Sequence, residues 1–418
     1  MQKVTLVRGA RQLLTLRGPN GPRRGADLGN PGLIQDGAVL IVDGVIREVG
    51  PTRRLENLAL ARTAEEIDAT GRVVLPGFVD PHMHAVSGPA RPPEDGIGVP
   101  GNDRSEMAQA IARTIRDHSP RAAETMALRV LEDAVRHGTT TFGLQSGFGL
   151  TVAGEEKILR VHRALGRRAI SVVSTYASVG VPEDYEARQD EYLQWIAVRL
   201  LTRLRHRGLA EFAAIRCGEG SFTLAQACRY FTAARELGLL LKLDAGLGLT
   251  PETIALAVQM GAISVALCMG ATEEDARLLG ESETIAILLP GFPFYLRNEC
   301  YPEARRLIDG GAAVALATGY NPITSPTQSM PAMIGLAWRE MRLTPAEAIA
   351  AATINAAHAL GRGDRVGSIE AGKIADLLIL GVPDYRELPY HFGVNLVDLV
   401  IKNGTVVVKR PEVQWPAQ

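Results

Sequence analysis

Aromatic residues make up only 5% of this 418-residue chain, and neither sign of charge is in excess. Forty-five lysines and arginines stand against 46 acidic residues, a formal net charge of −1. That balance gives no electrostatic footprint for a nucleic-acid partner or a polyanionic surface. Cysteine is scarce: Cys217, Cys228, Cys268 and Cys300 show no CxxC spacing, which excludes a disulfide framework and a thiolate zinc cluster. No stretch is long and apolar enough to span a bilayer, and residues 1–18 lack the apolar core of a signal peptide. A cytoplasmic protein with no membrane partner is therefore expected. Histidine is sparse too, with eight in all.

What is present is apolar content near half, 46%, enough for one large domain with an accessory part or for two domains. Both ends read as β structure. Ala38–Val42 and Val45–Val49 flank Asp43-Gly44, and Leu399–Lys402 and Thr405–Val408 flank Asn403-Gly404. These are two-residue turns of the kind hairpins prefer. The run Ala375–Leu380 precedes the second hairpin.

Between the ends, eight short apolar runs alternate with helical patterns: Val73–Val79, Thr139–Leu144, Ala169–Tyr176, Phe212–Cys217, Leu239–Leu243, Ile263–Cys268, Thr284–Leu289 and Ala312–Thr318. Thr344-Pro345-Ala346-Glu347 reads as an N-cap, a first-turn proline and a capping-box glutamate. Thr250-Pro251-Glu252 starts another helix, and Gly138 and Gly238 stand where helices should stop. The pattern predicts an α/β fold: a (β/α)8 TIM-like barrel at 73–363, with a small β-sandwich domain built from both termini, 1–72 and 364–418. The rival is an open doubly wound sheet, but no glycine-rich dinucleotide loop follows the first strand.

In such a barrel the site lies at the C-terminal ends of the strands. His82-Met83-His84 closes the first run, and residues two apart on an extended segment share a side. Both imidazoles can then reach one metal ion, an arrangement suited to a metal-dependent hydrolase. The other six histidines, His118, His137, His162, His206, His358 and His391, fall on helical patterns or in the terminal region and complete no ligand set.

The chain resembles the amidohydrolase superfamily, and within it the imidazolonepropionase family, which opens the imidazolone ring in histidine breakdown. The resemblance runs nearly end to end. It rests on Leu13-Leu14-Thr15-Leu16, Leu75-Pro76-Gly77-Phe78-Val79-Asp80-Pro81-His82 and Ser146-Gly147-Phe148-Gly149-Leu150. It continues through Leu288-Leu289-Pro290-Gly291, Asn321-Pro322 with Ser325-Pro326, and Gly367-Ser368-Ile369 to Ala375-Asp376. It implies His82 and His84 as metal ligands, Arg91 as a substrate contact, Asn321 as a residue holding the substrate carboxylate, and a homodimer. Asp80 and Asp376 fall in the shared stretches and read as structural.

Other positions depart from the family. Its metal-binding histidine on strand five is Asp244, and the catalytic acid or amide beside it is Leu247. The aspartate and catalytic histidine of strand six are Ala266 and Leu267; the strand-eight aspartate that binds metal and takes the water's proton is Gly319. The strand-two tyrosine is Phe148. A hydrolytic zinc needs three protein ligands, a water and a base, and loss of the base alone costs roughly 10²–10⁴ in rate. Ordinary imidazolonepropionase activity is therefore not expected.

Two histidines and a carboxylate do form a ligand set, so His82, His84 and Asp244 are the candidate site for one divalent metal, zinc or iron. Glu219, displaced by one position from the family's Cys-Glu, is the candidate base. Arg91 and Asn321 are the candidate substrate contacts, an arginine being suited to grip a carboxylate. The expectation is a divergent amidohydrolase acting on a C–N bond of a small cyclic, carboxylate-bearing compound. The alternatives are a catalytically inactive ligand-binding or regulatory paralogue and, last, a structural part of an oligomer.

Overall fold

The computed structural model describes residues 2–87, 104–168, 170–218, 221–246 and 251–411. The strands in chain order are β1 Val4–Leu14, β2 Leu33–Val42, β3 Val45–Pro51, β4 Glu65–Asp68 and β5 Val73–Pro76. Then come β6 Phe78–Met83, β7 Thr139–Gln145, β8 Ser171–Ser178, β9 Phe212–Arg216, β10 Leu240–Asp244, β11 Ser264–Leu267, β12 Ile285–Leu288 and β13 Val314–Leu316. The last three are β14 Leu377–Leu380, β15 Val397–Lys402 and β16 Thr405–Lys409.

Strands β6 to β13 form one all-parallel sheet in sequence order, each followed by helix, which is the (β/α)8 arrangement. Just beyond β13 the chain returns to β6. Gly319 N–H donates to His82 C=O at 3.0 Å, and His84 N–H donates to Tyr320 C=O at 2.8 Å. Asp80 accepts from the Thr318 amide at 3.3 Å and from its hydroxyl. These bonds tie the first and last units together at the barrel's C-terminal end.

The second sheet takes β1–β5 from one end of the chain and β14–β16 from the other, with β14 and β5 antiparallel neighbours at its centre. Both hairpins form as read. Asp43 and Gly44 have φ of 49° and 81°, and Asn403 and Gly404 have 49° and 70°. Two positive values in succession make the turn whose twist matches the strands.

One strand reading needs correction. The run Val73–Val79 is two strands: Val73–Pro76 belongs to the terminal sheet, and the barrel's first strand begins at Phe78. Pro76-Gly77 is the break. Pro76 has no N–H for a ladder, and Gly77 N–H is spent on Asp376 C=O at 2.9 Å. The capping box at Thr344 and Glu347 is present, with bonds of 3.3 and 2.7 Å.

Parity along the barrel strands sorts the interior. Val79, Val173, Phe212, Ile285, Ile287, Ala313 and Ala315 pack into one apolar cluster. A separate, larger cluster carries the outward strand residues and the surrounding helices.

Candidate functional site

The C-terminal ends of β6, β9, β10 and β11 and the loops beyond them surround a cavity of about 660 Å³. That is the size of a small-molecule site. His84, Phe148, Arg216, Asp244, Cys268 and Asn321 are on its wall.

His84 lines the cavity and His82 stands beside it, each 4% exposed, with ring centroids 5.6 Å apart. Burial drives their pKa values down to about 3 and about 4, with the positive charge of Arg216 adding to the effect. Both rings are therefore neutral at ordinary pH, and the Nδ1 of His84 has no hydrogen-bond partner among the described residues. Phe148 stands edge-on to His84 at 4.9 Å. The loop that carries Phe148 is fixed by Glu155, whose carboxylate accepts from Gly147 N–H at 2.9 Å and Gly149 N–H at 2.7 Å.

Arg216 was missed in the sequence, and it changes the site. Strands β9 and β10 pair with Arg216 directly beside Asp244, as Ala214 is beside Lys242. The guanidinium places two N–H bonds on one oxygen of Asp244, from Nε at 3.0 Å and from its terminal nitrogen at 2.9 Å. The other Asp244 oxygen accepts from Gly246 N–H at 2.8 Å. A carboxylate has about four lone-pair positions, and most are thus taken. Burial alone would raise the Asp244 carboxyl, but the Arg216 charge, with the Gly246 amide, outweighs it and holds it below the usual range. Asp244 in turn raises Arg216 against the effect of burial. A lone charge at the end of an apolar strand, on the end of the barrel that holds sites, was the signal in the sequence.

Below this pair lies Lys242, whose ammonium sits 4.5 Å over the Phe212 ring and donates to Pro81 C=O at 3.3 Å. Burial lowers it to about 7. The Cys268 thiol, also on the wall, is raised by burial and then by Asp244, so it is an inert thiol rather than a nucleophile.

The expected site residues fare differently. His82, His84 and Asp244 come to the same end of the barrel, but no three His, Cys, Asp or Glu side chains among the described residues are placed to hold a metal ion. The donor set does not fit one: the carboxylate is committed to a guanidinium. A divalent ion ~4 Å from that guanidinium would be repelled by ~8 kcal/mol at an effective dielectric of ~20. Asn321 reaches the wall, yet its amide is spent in its own turn. It donates to Gly319 C=O and Thr324 Oγ1 and accepts from the Ile323 and Thr324 amides, all at 2.8–3.0 Å. Arg91, Glu219 and Leu247 lie outside the described residues.

A family model described as "Amidohydrolase family" matches residues 226–407, and a second with the same description matches residues 65–98. The chain is 40% identical to an imidazolonepropionase of Geobacillus kaustophilus, covering 96% of this chain and 97% of that one. An imidazolonepropionase of Symbiobacterium thermophilum is 38% identical over 98% of both chains. The chain is an imidazolonepropionase-like member of the amidohydrolase superfamily. Among solved structures, its fold is similar to an atrazine chlorohydrolase of Arthrobacter aurescens complexed with zinc. The TM-score is 0.74 at 18% identity, covering 97% of this chain and 95% of the other. E. coli guanine deaminase gives a TM-score of 0.72 at 16% identity, with 98% and 100% covered. These likenesses show a shared fold over nearly the whole of each chain.

Proposed function

We propose that this amidohydrolase holds a small cyclic, carboxylate-bearing C–N compound in the cavity at the barrel mouth without metal-dependent ring hydrolysis. The observation that carries this reading is the Arg216–Asp244 pair. It occupies the carboxylate of the expected ligand set, its third ligand, in a site where Gly319 and Ala266 offer no base. What supports a carboxylate ligand is the charge around the cavity: Arg113, Arg116 and Arg216 line it against Asp244 and Glu186. Arg91 is proposed as a further grip on the ligand's carboxylate through paired N–H bonds.

The test is thermal stabilisation by imidazolone propionate, compared with the same ring carrying an uncharged amide side chain. Stabilisation by the carboxylate alone, reduced in Arg91→Ala, is the expected result. No shift with either compound sinks the ligand reading.

A second reading, a divergent enzyme that acts on a C–N bond of such a compound with a bound divalent metal, is favoured by one finding. Relatives 34–40% identical over nearly the whole chain carry the name imidazolonepropionase. Ring opening by protein incubated with zinc or iron, lost in His82→Ala, would establish that reading over the first.

A further inference from the structure

The interior of the barrel mouth holds a cation of the protein's own. Arg216 is brought there by strand register, its side chain about a third exposed, 35%, while the Asp244 side chain is 7% exposed. Its planar fork spends two N–H donors on one carboxylate oxygen. The His82 and His84 imidazoles, ring centroids 5.6 Å apart, are at the same end of the barrel, and His84 keeps a buried Nδ1 without a hydrogen-bond partner among the described residues. Two imidazoles and a carboxylate would suffice for zinc, and these residue types meet at one end of the barrel, although no three such side chains among the described residues are placed to hold an ion.

We infer that the Arg216 guanidinium stands in for a metal ion in this barrel, neutralising Asp244 and keeping the His82–His84–Asp244 group closed to divalent cations. The physical reason is competition for one carboxylate. A metal ion would have to share a carboxylate whose one oxygen holds two charge-assisted hydrogen bonds, about twice as strong as neutral ones, and whose other oxygen accepts the Gly246 amide. It would also set a second positive centre beside the guanidinium. A guanidinium supplies positive charge and directed N–H donors but no vacant coordination position. It can orient an anionic ligand, yet it does not lower the pKa of a water as zinc does. Arg216 is thus the cation that the Asp244 carboxylate already holds where a zinc site would use that carboxylate as a ligand.

Zinc content and zinc-dependent melting temperature test this without reference to turnover or to the identity of the ligand. Wild-type protein and Arg216→Lys, which keeps a positive charge, should retain only trace zinc after exposure and dialysis. Arg216→Met and Arg216→Gln should each take up about one zinc per chain and melt higher with zinc than without it. Adding Asp244→Ala to either should abolish the uptake. A folded Arg216→Met or Arg216→Gln protein that takes up no zinc overturns the inference. So does wild-type protein that binds about one zinc per chain in a manner lost with His82→Ala. The wild-type titration is decisive by itself should both neutral variants fail to fold: stoichiometric uptake overturns the inference and its absence supports it.

Discussion

Glu155 shows how much one buried carboxylate can organise. It lies 3% exposed on the helix Val152–Leu165 and satisfies the amides of Gly147 and Gly149, so it fixes the loop that presses Phe148 on His84. Glu155→Gln replaces one acceptor by a donor facing an N–H, which should cost ~1–3 kcal/mol in urea unfolding. It should also weaken ligand binding through the loosened Phe148 loop. Wild-type stability with unchanged ligand affinity would point to a loop held by other contacts.

His162 on the same helix is fully buried, its Nδ1 3.0 Å from Ser174 Oγ and its Nε2 without a hydrogen-bond partner among the described residues. Burial lowers its pKa to about 3. Between that value and the ordinary one near 6.5 the unfolded chain carries the proton and the folded chain does not. Stability therefore rises with pH across this window and is lost as pH falls from about 6.5 toward 3. His162→Leu should flatten that part of the pH–stability curve, read from melting temperatures at several pH values; an unchanged acid slope would show that His162 does not contribute. Neither role was visible in the sequence. A glutamate and a histidine on a helical pattern read as solvated or packed, and only the neighbouring turn of chain shows what they hold.

Among the elements, the two hairpins were legible because their turns are local: Asp-Gly and Asn-Gly set positive φ whatever lies elsewhere. Their mutual contact was not legible. Gly404 N–H and Gly44 C=O both bond to Ala375, and a side-chain carbon on Gly44 would lie 2.7 Å from Asn403 C=O. Gly44→Ala should therefore destabilise by ~1–3 kcal/mol, more than a positive φ alone costs. A loss well under 1 kcal/mol in chemical denaturation would show that the turns can part. The eight barrel runs were likewise legible, since strands buried on both faces read as unbroken apolar stretches. The split at Pro76-Gly77 was hidden for the same reason: an apolar run carries no sign of which sheet takes each half.

At the scale of the whole molecule, Lys402 joins the terminal sheet to the barrel. Its ammonium meets Asp376 at 2.5 Å and Ser171 Oγ, on β8, at 2.7 Å, and both members of the ion pair are nearly out of water. Lys402→Met strands the Asp376 charge and should cost ~3–5 kcal/mol. Adding Asp376→Leu should recover much of that loss, because a buried pair replaced together by apolar groups is often neutral. A double variant no more stable than Lys402→Met would place the cost in the lost bond from Asn403 N–H to the Asp376 carboxylate.

The sequence by itself determined the barrel, the β domain built from both ends, the family, and His82 and His84 at the mouth. Each is written in local patterns: alternation, turn chemistry and short ordered stretches. It also showed that Asp244, Leu267 and Gly319 stand where the family's working residues would be. What Asp244 does was decided only by the tertiary structure. Its partner is 28 residues earlier, and nothing local links them. Strand register sets Arg216 beside it, and a carboxylate in a low-dielectric barrel takes the nearest cation that can reach it.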